Sequence, residues 1–206
     1  MVRCLASRVV SFISASGGVG KTKLSLLLAY SLKKGHKKVL FLDMDPTSGA
    51  SLLVLNEEDF DGYVNDCKTL SDMLKRYEDG VNVEFRRFKV DVELGDVYVD
   101  FILPGDELID VVDRFWRSGA AGPKFRRTLR SLIPFSSYDY VIIDTAPFFD
   151  PRYITLSIYV SDYFVVPLRP SIIDIKRTVR MLNKIREDIE ISIGGRGDRA
   201  VDSFLK

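Results

Sequence analysis

The sequence predicts an α/β fold, a doubly wound, mainly parallel β-sheet flanked by helices, and three observations predict it. Apolar runs at Val9–Ile13, Val39–Leu42, Tyr140–Ile143 and Tyr163–Val166 are nearly continuous, the pattern of strands covered on both faces. Segments with helical apolar spacing alternate with these runs, which favours parallel pairing through crossovers. A glycine-rich turn, Ala15-Ser16-Gly17-Gly18-Val19-Gly20-Lys21-Thr22, joins the first run to the first helical segment.

That turn carries the most chemistry. Strand, glycine loop and helix in this order make a phosphate-binding loop. Glycines let backbone N–H groups curl round phosphate oxygens, and the following helix N-terminus adds unpaired donors and a positive dipole end. Gly17, Gly18, Val19, Gly20, Lys21, Thr22 and Lys23 are the expected nucleotide-binding residues, with Lys21 on the β/γ-phosphates and the Thr22 hydroxyl on Mg²⁺. The usual pattern opens with glycine six residues before the lysine; here Ala15 stands there, which the loop tolerates if its φ stays negative.

The first helix, from about Leu24 to Leu32, ends in Lys33-Lys34-Gly35-His36-Lys37-Lys38, cations in a last turn and then a glycine stop. His36 has no partner ligand in sequence. The second strand ends in Asp43-Met44-Asp45-Pro46, which puts two carboxylates at a strand's carboxyl end, where open α/β sheets bind ligands. A short helix is expected at Leu52–Leu55 and an acidic surface loop at Glu57–Asp61. Leu70, Met73, Leu74 and Tyr77 share a helical stripe. An inserted β-hairpin is expected around residues 83–103, turning at Glu93-Leu94-Gly95-Asp96. A helix follows from Asp106 or Glu107 to Arg117, then a small-residue loop at Ser118–Pro123. Lys124–Ile133 is a basic helix with Lys124, Arg126, Arg127 and Arg130, open to two readings, a solvated face or a phosphate-backbone contact. The third strand ends at Asp144, and Thr145-Ala146-Pro147 continues it into a loop. The long helix Ile172–Asp188 sets Ile172, Ile175, Val179, Leu182 and Ile185 on one side. Ile189–Ile193 is expected as a final strand.

Composition narrows the class. The 206 residues suit a single domain, expected over 1–206. Thirty basic residues face twenty-nine acidic ones, so a globally basic nucleic-acid binder is not indicated and any such surface is local. Cys4 and Cys67 stand apart without a Cys-x-x-Cys, against a zinc site or disulfide framework. No apolar run has the length of a leader's core or a membrane span, and the tail Arg199–Lys206 is too short for an amphipathic anchor. A cytoplasmic protein is expected.

Taken together, Ser16–Thr22, Phe41-Leu42-Asp43-Met44-Asp45-Pro46, Tyr138–Pro147 and Ser161–Pro170 resemble the ParA/MinD group of P-loop ATPases with a deviant Walker A motif. Asp-x-Asp-Pro after the second strand is closest to the ParA partitioning proteins. The resemblance implies ATP and Mg²⁺, with Lys21 and Asp45 catalytic, and Thr22, Asp45 and Asp144 around the metal. It places the second switch at Thr145–Phe149, with Asp43 a weaker member of the cluster. It also implies an ATP-dependent homodimer, non-specific DNA binding, a ParB-like activator, no membrane, and nucleoid association. Basic residues for DNA are expected at Arg177, Arg180 and Lys184 or on the Lys124–Arg130 helix. The family's signature lysine precedes Gly-Gly and reaches the partner's phosphates; this chain has Ser16 there. Slow hydrolysis is expected, or a replacement cation such as Arg152 or Lys23. The alternative is a nucleotide-binding regulator or scaffold that does not hydrolyse ATP.

Overall fold

The computed structural model describes residues 7–192. Strands β1 (Arg8–Phe12), β2 (Val39–Met44), β3 (Val90–Leu94), β4 (Val97–Ile102), β5 (Tyr140–Thr145) and β6 (Tyr163–Val165) form one sheet in the order β3-β4-β2-β5-β1-β6. All neighbours pair parallel except β3 with β4. The helices are α1 (Lys21–Lys34), α2 (Ser51–Val54), α3 (Glu57–Asn65), α4 (Leu70–Glu78), α5 (Leu108–Arg117), α6 (Ala121–Leu132), α7 (Pro151–Val160) and α8 (Ile172–Ser192).

Successive side chains of a strand point to opposite faces, and here both faces are covered. Leu40 and Leu42 of β2, with Val141 and Ile143 of β5, pack on α4, α5, α6 and α7 through Met73, Val111, Phe125 and Leu156. Phe41 and Ile142, one residue out of phase, pack on the other side against Ala29 of α1 and Phe60 of α3. Phe41 stacks on Phe101 of β4 with ring centroids 4.5 Å apart. The register sets Asp144 level with Phe12 on one side and with Asp43 on the other. The carboxyl ends of the three central strands therefore finish together.

Several expectations change. The hairpin at 83–103 is not an insertion: β4 pairs parallel with β2, so the hairpin is the edge of the main sheet. Its turn is two residues, Gly95-Asp96, and Gly95 takes the φ of 62° that such a tight hairpin needs. Glu57–Asp61 is helical, because Asn56 caps α3 by accepting from the Asp59 N–H at 2.8 Å and three acids favour the helix's positive end. Ile189–Ser192 continues α8 instead of forming a strand, since Ile189 repeats Ile185 on the buried face. On α8 only the second half of the expected stripe, Leu182 and Ile185, packs on the core. Ile172, Ile175 and Val179 are exposed, while Asp174, Thr178, Met181 and Ile185 face inward. The stop after α1 is made by His36 at φ 58°, not by Gly35. Cys4, Ile193 and the tail Arg199–Lys206 lie outside the described residues.

The stretch read as a small-residue loop at 118–123 enters α6 at Ala121, and Gly122 is a packing contact. A Cβ there would sit 2.0 Å from Cδ2 of Tyr159 on α7. Gly122→Ala should lower stability by about 1–3 kcal/mol through overpacking, read as a fall in the urea midpoint; an unchanged midpoint would show that α6 and α7 are not in close contact.

Candidate functional site

The glycine turn leaves the end of β1 and runs into α1 over the tips of β2 and β5. Gly18 and Gly20 take φ 70° and 86°, and nothing lies within 4 Å of a Cβ at either position. Glycine is needed there for backbone conformation, not for room. Ala15 is not among the residues with positive φ, so alanine fits that position. No side chain caps the start of α1, where Gly20 is the N-cap; its first N–H groups face the loop, the arrangement that binds anions.

The loop encloses a concavity of about 330 Å³, lined by Ser14, residues 16–23, Asp45, Leu53 and Pro147. All seven expected nucleotide-binding residues, Gly17 to Lys23, line it, and so does Asp45. Asp144 sits beneath, fully buried, and accepts from Lys21 Nζ at 2.9 Å. Thr22 lies close enough to Asp144 to favour its charged form. Burial is the largest influence on Asp144 and raises its pKa, against the charge and hydrogen bond of Lys21. Asp45 is held by Thr47, whose N–H and hydroxyl donate to Oδ1 at 2.9 and 2.7 Å.

Asp43 does not line the concavity. It is buried and accepts from the Ser51 N–H and hydroxyl at 2.9 and 2.7 Å and from the Asp45 N–H at 3.1 Å. It ties the loop after β2 to the start of α2, a structural role. Burial first, then the charge of Asp144, pushes its pKa up to about 7. Arg152 is also not free at the site: it pairs with Asp150 at 2.5 Å and Asp113 at 2.8 Å. Lys23 stays exposed on the rim.

The residues fit a magnesium-bound polyphosphate. Asp144 Oδ2 and Ser14 Oγ are buried beside the loop without a hydrogen-bond partner, and such groups are costly unless something completes them. Among the described residues no cluster of three or more His, Cys, Asp or Glu could hold a metal alone. Magnesium does not need one: one or two carboxylates suffice when phosphate and water oxygens complete the shell. Thr22, Asp45 and Asp144 would supply the hard oxygen donors, and Lys21 with the loop amides the phosphate contacts.

Of the other expected cations, Lys124, Arg126, Arg130 and Lys184 are engaged by the fold, while Arg127, Arg177 and Arg180 are exposed. On α6, Lys124 lies over the Phe115 ring, Arg130 over the Phe135 ring, and Arg126 donates to the Tyr159 carbonyl at 2.8 Å. Lys184 pairs with Asp188 at 3.0 Å. Sequence reasoning missed two contacts. The Thr47 clamp was visible in principle as a hydroxyl two residues after Asp45. The Ser16 hydroxyl donating to Asp174 at 3.2 Å spans 158 positions and leaves no local signal.

A central-strand glycine loop, a lysine on a buried strand-tip aspartate and a parallel sheet wound on both faces define a P-loop nucleotide-binding domain. The chain belongs to the AAA domain family AAA_31, whose model matches residues 7–193, and its recognition as a ParA/MinD-type P-loop protein stands with that match. It is 28% identical over 183 residues to the maintenance of carboxysome distribution protein A of Synechococcus elongatus, covering 88% of this chain and 66% of that protein. An uncharacterised protein of Methanocaldococcus jannaschii is 27% identical over 180 residues, 87% of this chain and 65% of its own length. The chain thus spans slightly under two thirds of these relatives. Its fold matches a plasmid partition protein of Borrelia burgdorferi with TM-score 0.68 at 21% identity, over 87% of this chain and 73% of that one. It likewise matches pNOB8 ParA bound to non-specific DNA with TM-score 0.65 at 22% identity, over 85% and 58%.

Lys21→Ala should destabilise the nucleotide-free protein by on the order of 3–5 kcal/mol, because it strands the Asp144 charge in the interior. Adding Asp144→Asn should recover part of that loss, and additive effects in urea unfolding would contradict the pairing. Asp43 has a folded pKa above its unfolded one, so the stability it contributes is complete below about pH 4 and is lost as pH rises through about 7. The difference in melting temperature between the parent and Asp43→Asn should follow that curve; a flat difference from pH 4 to 8 would refute it.

Proposed function

We propose that this chain is a ParA-like, ATP- and Mg²⁺-dependent switch ATPase for partitioning or segregating DNA, cycling between a monomer and an ATP-bound homodimer. The observation that carries the proposal is the buried Lys21–Asp144 pair at the open end of the glycine loop, with Asp45 beside it. Phosphoryl transfer to water needs little covalent help; it needs charge neutralisation and an aligned water. Lys21 and the loop amides neutralise and orient the phosphates. The Asp144 carboxylate fixes Lys21, and its unpartnered second oxygen would be a donor for the metal. Asp45, steadied by Thr47, can orient the attacking water from the β2 side. When bound, Mg²⁺ neutralises charge on the phosphate oxygens.

The relatives support the cellular reading: one is named for carboxysome distribution, one is a plasmid partition protein, and one is bound to non-specific DNA. On this chain, Arg177 and Arg180, with Lys176, are exposed cations of α8 that suit a phosphate backbone. A ParB-like activator and a cytoplasmic, nucleoid-associated location belong to the same proposal. No helix among the described residues is long and apolar enough to cross a membrane.

A second reading, a nucleotide-binding regulator that does not hydrolyse, has one observation in its favour. Ser16 directs its hydroxyl to Asp174, away from the phosphate loop, and a trans cation is worth on the order of 10³–10⁵ in rate in other P-loop enzymes. Slow hydrolysis is therefore expected. Calorimetry with ATP and Mg²⁺, sedimentation and phosphate release should show binding that Lys21→Ala abolishes, a nucleotide-dependent dimer, and turnover above the Lys21→Ala background. Binding without such turnover selects the regulator; absence of ATP binding in the parent refutes both readings.

A further inference from the structure

Behind the phosphate loop lies a second cavity of about 600 Å³, walled by residues 15–17, Phe148, Phe149, Arg169, Arg177, Arg180 and Met181. It shares Ser16 and Gly17 with the first concavity and nothing else. The start of the loop is therefore a partition between two pockets, one lined by Lys21, Thr22 and Asp45, the other by arginines.

The two pockets differ in charge. On the loop side the charges balance, Lys21 against Asp144 and Lys23 against Asp45. On the far side Asp174, buried at 2% exposure, accepts from Arg169 Nε at 2.6 Å and from the Ser16 hydroxyl. This clamp fixes Arg169 against the partition, and the Arg169 contact holds the Asp174 carboxyl below its ordinary range. One carboxylate thus faces three guanidinium groups. Arg177 adds only a through-space attraction to Asp174, and neither Arg177 nor Arg180 has a hydrogen bond or ion pair among the described residues. Phe149, 86% exposed, sets an aromatic edge on the mouth. Unpaired guanidinium forks beside an aromatic ring suit a phosphate group, and here three guanidinium groups outnumber the one carboxylate.

We propose that this cavity is a second phosphate-binding site, separated from the glycine loop by Ser16 and Gly17, in which Arg177 and Arg180 take the anion and Arg169 is positioned by Asp174. The phosphate can come from a free polyphosphate or nucleotide, or from the nucleotide held in the loop of a second copy of this chain. The second source rests on the proposed function; the first does not.

The test compares the parent with Arg177→Ala/Arg180→Ala, two exposed positions whose loss leaves the core intact. Calorimetric titration with pyrophosphate should give two sites in the parent and one in the variant if the anion is free. If it comes from a second copy, both proteins bind one pyrophosphate, but self-association driven by ATP and Mg²⁺ weakens about a hundredfold in the variant, the size expected for losing charged hydrogen bonds. Equal pyrophosphate stoichiometry together with equal self-association overturns the inference. A parent that binds no ATP refutes the proposed function instead, and the pyrophosphate titration then decides this site alone.

Discussion

The contact on which the site depends is a single buried ion pair, Lys21 Nζ to Asp144 Oδ1 at 2.9 Å. It exists because β5 lies between β1 and β2 in parallel, with Asp144 level with Phe12 and with Asp43. A slip of one residue would turn Asp144 to the opposite face of the sheet. The register is set by the apolar faces: Val141 and Ile143 belong to one layer and Ile142 to the other. Core packing thereby places the chemistry. The pair also leaves one Asp144 oxygen satisfied and the other without a hydrogen-bond partner. A buried carboxylate of this kind is poised for a further positive partner.

Around that pair the carboxylates divide their work. Asp144 engages the lysine, Asp45 faces the concavity under the hold of Thr47, and Asp43 fastens the loop after β2 to Ser51 on α2. The division also applies to the cations. Lys124, Arg126 and Arg130 of α6 are turned onto aromatic rings and a carbonyl, and Arg152 is bound by two carboxylates. Arg177 and Arg180 remain available next to the loop. A near-neutral chain can in this way carry a local anion-binding surface.

Much of this was legible in the sequence. Continuous apolar strands, the glycine spacing and the acidic strand tips fixed the sheet, the loop and the positions of Lys21, Thr22, Asp45 and Asp144. What was not legible has physical causes. Helix α7 is buried on nearly every side from Tyr153 to Val160, so it has no amphipathic period to detect. Its start is marked only by Asp150 and Pro151. Helix α3 hides behind a run of acids that reads as a loop until Asn56 is seen as its cap. On α8 the apolar residues of the first half face outward and Asp174 faces inward, reversing the usual inference from hydrophobicity. That reversal follows from the Ser16 and Arg169 contacts, and long-range pairing of this type cannot be read from local spacing.

The central claim is that the backbone of residues 16–22 grips a triphosphate while Lys21 and Asp144 hold its charged end. Hydrogen exchange of the backbone amides, with and without ATP and Mg²⁺, addresses it directly. The account predicts marked slowing at Gly17–Thr22 and little change on the distant hairpin of β3 and β4. Equal exchange across the loop in both conditions would contradict it.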